Sequence, residues 1–490
     1  MTGAALGAEW AAHDTAAEMR SELKAWAALA IGSLAIAGTF AFMLALSRLP
    51  GIERLLPWPV GFFAKGLVIH VIFSLVVWFL TAFALLATIT TFTVAADEPR
   101  LASLGATGVN LVALSFPFLL APAFFDDSVA SLNNYVPVIV HRSYYLGLTL
   151  LALGIALPAV RLLANAAQDR FRGLSPLALA MSAGAVIYIV ALICIAIALS
   201  LSWGSEPGRA FHEHLFWGGG HVLQFLYALL MLTGWFVLVR RSLGESSFDA
   251  DVFRLAIVLL AVFTLPAVFF YKVFEPFSPL QTEAFRRLQF VVALPSLIIA
   301  IGALSSVMAA RRRGPLPWRD PGFLALVLSP LVFGAGGIMG LMITGSDTRT
   351  PAHYHGTIAG VNLALMGLFL VRCLPALGRP VKPSSLVRAQ ILLFGLGQLV
   401  ACIGLFWAGG YGAPRKTPAG AASLVDGAVL GMYLHGIGAL FAVIGGVLFV
   451  ATVTWALMRP QPVCCAATGV KAAVRAIDLD QRSPSQAPSD

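Results

Sequence analysis

The sequence predicts an all-α membrane protein of twelve spanning helices, and two observations carry that prediction. Apolar runs of spanning length follow one another along nearly the whole chain, joined by short connections. Only 11% of the residues are charged and 59% are hydrophobic, with a mean hydropathy of +0.86. Soluble domains carry roughly 25% charged residues, so the solvent for most of this chain is lipid. Backbone groups in lipid must satisfy one another, which makes each run a helix.

The runs fall at about 25–46, 64–94, 102–124, 136–160, 176–203, 213–239, 252–272, 288–309, 322–344, 352–374, 386–409 and 424–457. Residues 1–24 are polar and mixed in charge, unlike a cleavable leader. They read as a cytoplasmic segment before a membrane domain over 25–458, and 459–490 reads as a disordered cytoplasmic tail. Most Lys and Arg lie on the side shared by both termini, Arg311-Arg312-Arg313 most clearly, so the positive-inside rule puts both ends in the cytoplasm. The net charge of +9 is spent on topology and is no nucleic-acid signal. Five cysteines show no metal spacing, and the adjacent Cys464-Cys465 reads as a reduced pair in the tail.

Histidine is the residue type that breaks the apolar pattern at one level. His353 and His355 open the tenth run, His70 lies near the start of the second, and His221 near the start of the sixth. With the ends inside, all four fall in the outer third of the bilayer. Residues at i and i+2 stand about 200° apart on an α-helix, so His353 and His355 cannot share an ion. They can hold different partners on opposite faces, and haem irons are the natural candidates because neutral imidazole is a common haem ligand. Intramembrane ionisable groups are functional by default, although a lone histidine in a helix is more often a packing residue.

Four local patterns resemble subunit I of the haem-copper oxidases, the respiratory oxygen and nitric oxide reductases. They are Pro351-Ala352-His353-Tyr354-His355, His70 in Leu67-Val68-Ile69-His70-Val71, the segment from His214 to His221, and Gly412-Ala413-Pro414-Arg415-Lys416. The resemblance implies a subunit I-like bundle with two haems, b-type in our reading. His70 and His355 would be the axial pair of a low-spin haem, and His353 the single ligand of a high-spin haem that binds O₂ or NO. Arg415 and Lys416 would meet the propionates, since two cations at a haem edge neutralise its carboxylates. Trp217 would lie against the high-spin haem. The implied setting is a bacterial inner membrane, with electrons from a partner subunit, cytochrome c or quinol.

The pattern breaks at the family's copper ion. His221 matches one copper ligand, but aligning Val291-Val292-Ala293-Leu294-Pro295 puts the other two at Phe270-Tyr271. His212 and His214 stand roughly 13 and 10 Å from His221 along a helix, too far to complete one ion's shell. A copper site of the usual kind is therefore not expected. The tyrosine four residues past the helix 6 histidine and the helix 8 lysine used by part of the family are absent, with Phe225 and Ile298 or Ile299 at those positions, and no carboxylate lies inside a span, Asp426 being near an end. His221, Gln224, Tyr227 and Tyr271 remain as polar groups for the ligand side. Two alternatives stand beside an oxidoreductase: a dihaem electron conduit or gas sensor without copper, and a twelve-helix secondary transporter, whose usual repeats and midplane charges are not found.

Other residues have plainer readings. His435 is expected to make a packing or backbone contact, and His141, His212 and His214 to be interfacial. Arg286 and Arg287 read as a solvated helix start. Gly218-Gly219-Gly220 reads as a place of close approach by a macrocycle or a neighbouring helix.

Overall fold

The computed structural model describes residues 3–47, 62–95, 98–169, 171, 173–416 and 424–459. Among them, twelve helices are long and apolar enough to cross a membrane. They are α1 (Ala17–Leu44), α2 (Phe63–Val94), α3 (Ala102–Phe124), α4 (Arg142–Ala166), α5 (Pro176–Leu201), α6 (Arg209–Leu243), α7 (Ala250–Val273), α8 (Pro279–Arg313), α9 (Pro321–Leu341), α10 (Arg349–Ala376), α11 (Ser385–Gly410) and α12 (Asp426–Met458). The predicted tail from 460 and Cys464-Cys465 lie outside the described residues.

Burial ranks these helices sharply. The apolar windows of α2, α6 and α10 are 72%, 89% and 78% buried, whereas the other nine range from 28% to 44%. The three inner helices are the three that carry the histidines at one level. We call the end where they begin the upper end.

Small residues draw the helices together, as lipid-embedded packing requires. A Cβ on Gly397 of α11 would stand 2.5 Å from the Ala442 nitrogen of α12, and one on Gly438 would stand 2.4 Å from the Ala401 nitrogen. The glycine run of α6 is packed on three sides. A Cβ would meet Tyr271 at 2.2 Å from Gly218, Ile195 at 2.4 Å from Gly219, and Tyr135 at 2.5 Å from Gly220. Protein neighbours therefore account for all three glycines.

Several predicted starts move, α1 beginning at Ala17 rather than about 25 and α8 at Pro279 rather than about 288. The fourth run was expected from about 136, but α4 begins at Arg142 and residues before it form a strand. β1 (Val129–Ser131) pairs antiparallel with β2 (Val138–Val140), Val129 opposite Val140. Val138, Ile139 and Val140 are β-branched and suit a strand; His141 then caps α4, its Nδ1 accepting from the Ser143 N–H at 3.2 Å.

Candidate functional site

α10 has two faces with different neighbours. Gly356, Gly360, Ala364 and Gly367 lie three, seven, eleven and fourteen residues beyond His353, all within about 60° of it. A Cβ on Gly356 would stand 2.7 Å from the Gly336 Cα of α9, and one on Gly234 of α6 would stand 2.8 Å from the Ala364 Cβ. His353 thus faces α9 and α6. Its Nδ1 lies 2.8 Å from the Gly336 carbonyl oxygen. A carbonyl can only accept, so Nδ1–H donates and the neutral ring carries its lone pair on Nε2.

Asn362 and Phe369, seven and fourteen residues beyond His355, share its face to within about 40°. Both meet α2: the Trp78 indole N–H donates to Asn362 Oδ1 at 2.7 Å, and the Trp78 and Phe369 rings lie 5.3 Å apart. The half-buried His355 ring stacks on Tyr354, 5.2 Å away.

α2 is brought into phase by a π segment. His70 and Trp78 are eight residues apart, which on a regular α-helix turns them about 80° from one another. Ile72–Val77 is π-helical, and its i→i+5 bonding takes up about one extra residue. The spacing then behaves as seven, and His70 comes to within about 20° of Trp78. His70 stands about 11 Å above Trp78, and His355 about 10.5 Å above Asn362. Helix phase places the two histidines at the same height, on the sides of α2 and α10 that carry Trp78 and Asn362. His70 Nδ1–H donates to the Ala37 carbonyl of α1 at 3.0 Å, which puts its lone pair on Nε2 as well.

α6 presents a stripe of half-buried residues, Glu213, Trp217, Gln224 and Tyr227, in an otherwise buried helix. His221 lies at the edge of this stripe but is only 1% exposed. Its Nδ1–H donates to the Trp217 carbonyl at 2.6 Å. Its Nε2 lies 2.8 Å from the Tyr135 hydroxyl, and with Nδ1 as donor the phenol must donate to Nε2. Trp217 packs against both rings, at 4.8 Å from His221 and 5.6 Å from Tyr135, and its N–H donates to the Thr282 carbonyl at 3.2 Å. Tyr271 does not join this group. Its hydroxyl packs on Gly218, and Phe285 stands between, 5.5 Å from Tyr271 and 5.9 Å from His221.

Tyr135 arrives on the connection between α3 and α4, which sequence reasoning passed over. Glu213 accepts from the Asn134 N–H at 3.0 Å and from Asn134 Nδ2 at 2.6 Å. His212, expected to be interfacial, is fully buried beneath this connection, its Nδ1 2.9 Å from Ser131 Oγ and its Nε2 3.0 Å from the Tyr145 hydroxyl. Tyr135 has a φ of 64°, a left-handed conformation that costs a bulky residue free energy. Burial, reinforced by the Glu213 carboxylate, raises its phenol well above the ordinary tyrosine range, so the phenol keeps its proton.

Arg415 and Lys416 are half-buried above α10. The Thr348 N–H donates to the Ala413 carbonyl at 3.0 Å, which ties their loop to the top of that helix. Lys416 Nζ donates to the Leu132 carbonyl at 2.8 Å. Burial first, then Arg415 and Arg209, pull its ammonium below the usual lysine range, against the opposing pull of Glu213. The remaining candidates are structural. His435 Nδ1–H donates to the Ala401 carbonyl at 3.3 Å, His214 stacks on Phe277 at 4.4 Å, and Arg286 and Arg287 both bind Glu283, at 2.6 and 2.8 Å.

Comparison with known proteins bears on what this frame is. The family model described as Cytochrome C and Quinol oxidase polypeptide I matches residues 23–441. An uncharacterised protein of Aquifex aeolicus is 31% identical over 347 residues, 70% of this chain and 82% of that one. Cytochrome c oxidase subunit 1 of Thermus thermophilus is 31% identical over 225 residues, 41% of this chain and 40% of that one. A haem-copper terminal oxidase solved as a dimer by cryo-electron microscopy superposes with a TM-score of 0.74 at 17% identity, covering 94% of this chain and 90% of its own, which is a likeness of fold. These matches set aside the transporter alternative, and the chain belongs to the cytochrome c and quinol oxidase polypeptide I family, the haem-copper oxidase subunit I proteins.

Proposed function

We propose that this chain is a two-haem respiratory membrane oxidoreductase. His70 and His355 would hold a low-spin haem, and His353 would hold a high-spin haem on the side of α10 that faces α6 and α9. When bound, these groups supply one-electron transfer and an iron position that takes a diatomic such as O₂ or NO. Electrons enter from a partner subunit, a cytochrome c or a quinol. The haems are b-type and the chain lies in a bacterial inner membrane with both termini inside.

The observation that carries this reading is the two-sidedness of α10. One face meets α6 and α9 through Gly356, Gly360 and Ala364, the other meets α2 through Asn362, and a histidine heads each. The residues fit the groups they would hold. His70 and His353 each have Nδ1–H donated to a backbone carbonyl, which sets the orientation of the ring. Half-buried cations at Arg415 and Lys416 suit propionates.

Copper does not fit. Both ring nitrogens of His221 are hydrogen-bonded to protein, and among the described residues no group of three His, Cys, Asp or Glu is placed to hold an ion. This mismatch favours a second reading, an electron conduit or gas sensor without terminal turnover.

A reduced-minus-oxidised spectrum with pyridine haemochrome tests the first reading. Wild type should hold two haems, His355→Ala should lose the low-spin bands alone, and His353→Ala the high-spin bands alone. A haem-free protein defeats the proposal. Turnover with O₂ or NO separates enzyme from conduit.

A further inference from the structure

Tyr135 sits where none of the expected site residues was sought, and its position relative to α10 can be worked out from helix phase. Its Cβ and Cγ both lie 2.5 Å from where a Gly220 Cβ would be, so the ring rests on the Gly220 face of α6. Gly234 and Leu238 are fourteen and eighteen residues further along, within about 40° of Gly220. These two residues make the contacts with Ala364 and Gly367 of α10. Tyr135 therefore stands on the side of α6 that faces α10, the side to which His353 is turned. Measured up from the Gly234–Ala364 contact, Gly220 is about 21 Å away and His353 about 16.5 Å, a difference of less than one helical turn.

We infer that Tyr135, hydrogen-bonded to His221, takes the place of a second metal, and that a diatomic ligand on the His353 iron meets this phenol. The inference rests on the proposed haem at His353. Three features make it a built site. The phenol proton is committed to His221 Nε2, which removes the lone pair that a metal would need. The strap that delivers Tyr135 is pinned at Ser131 by His212, at Leu132 by Lys416 and at Asn134 by Glu213. Finally, the chain accepts a left-handed backbone at Tyr135 to present the ring. The Asn133 side chain braces the turn by donating to the Val136 carbonyl at 2.7 Å. Tyr135 is thus a positioning residue for the ligand, acting from the protein side where the family resemblance implies a copper ion.

Infrared spectroscopy of the carbon monoxide complex of the reduced holoprotein tests this, with iron and copper measured on the same sample. Two irons and no copper are expected in wild type, and the oxidised high-spin iron should give full paramagnetic resonance intensity because no second paramagnet couples to it. Tyr135→Phe should keep both haem spectra and move the C–O stretching band, because the phenol oxygen, its proton held by His221, faces the bound ligand with its lone pairs and the variant removes them. Glu213→Gln, which loosens the strap but keeps the phenol, should move the band less and in the same direction. Stoichiometric copper, or both haems retained with an unmoved band in Tyr135→Phe, overturns the inference while leaving the haem assignment standing. If the wild type holds no haem, the underlying reading falls and the inference falls with it.

Discussion

The two faces of α10 solve different problems with the same helix. On the His353 side the neighbours approach backbone to backbone, with Gly336 and Gly356 leaving no room for a side chain between α9 and α10. On the His355 side a part-buried hydrogen bond, Trp78 to Asn362, ties α10 to α2 well below the histidines. The first face fixes a half-buried ring against a close helix contact, through the Gly336 carbonyl. The second holds two helices in register through a hydrogen bond and a ring contact. A site for one axial ligand and a site for a facing pair need these two kinds of packing.

Filling the tight face should have the largest effect. Gly356→Leu drives a branched side chain into the Gly336 backbone, and overpacking of this kind costs at or beyond the upper end of about 1–3 kcal/mol. We expect the purified variant to lose both haem classes together, because α9 and α10 can no longer seat His353 and α10 shifts as a whole. Retention of a normal high-spin spectrum would show that the contact is not what places His353.

The looser face should respond less and more selectively. Asn362→Ala leaves the fully buried Trp78 indole N–H without its acceptor, a loss of about 1–3 kcal/mol. The expected signature is a lower melting temperature, with low-spin bands shifted and high-spin bands unchanged. Equal perturbation of both sets would erase the distinction between the faces.

Much of this frame is legible in the sequence, and what is not has a physical cause. Twelve spans and the opposed directions of His353 and His355 follow from length, hydropathy and helical pitch, all local quantities. Facing of His70 and His355 does not follow locally, because an eight-residue spacing to Trp78 points the wrong way until the π segment at Ile72–Val77 is known. Tyr135 was missed for a related reason. Its partners Glu213 and His221 are 78 and 86 residues away, and Val136-Pro137-Val138-Ile139-Val140 reads as the apolar start of a span when it in fact contains a strand. The sequence did imply that His221 lacked fellow metal ligands; only the fold supplies the phenol that occupies its Nε2.

The smallest expected effect acts on both faces at once. At the head of α10 the Arg349 guanidinium holds the Asp347 carboxyl below the usual carboxylate range, and Asp347 also bridges to Pro414 in the loop that carries Arg415 and Lys416. Because the folded value is depressed, this carboxylate stabilises the native state above its unfolded pKa of about 3.9 and loses that contribution as pH falls through the folded value. Asp347→Asn should therefore lower the melting temperature slightly near neutral pH, and the gap to wild type should close on acidification below the ordinary aspartate range. Since the pair sits above His353 and His355 alike, any spectral change should appear in both haem classes in parallel. A change confined to one class would mean that the top of α10 is anchored separately on its two sides, and a gap that widened in acid would remove Arg349 as the cause.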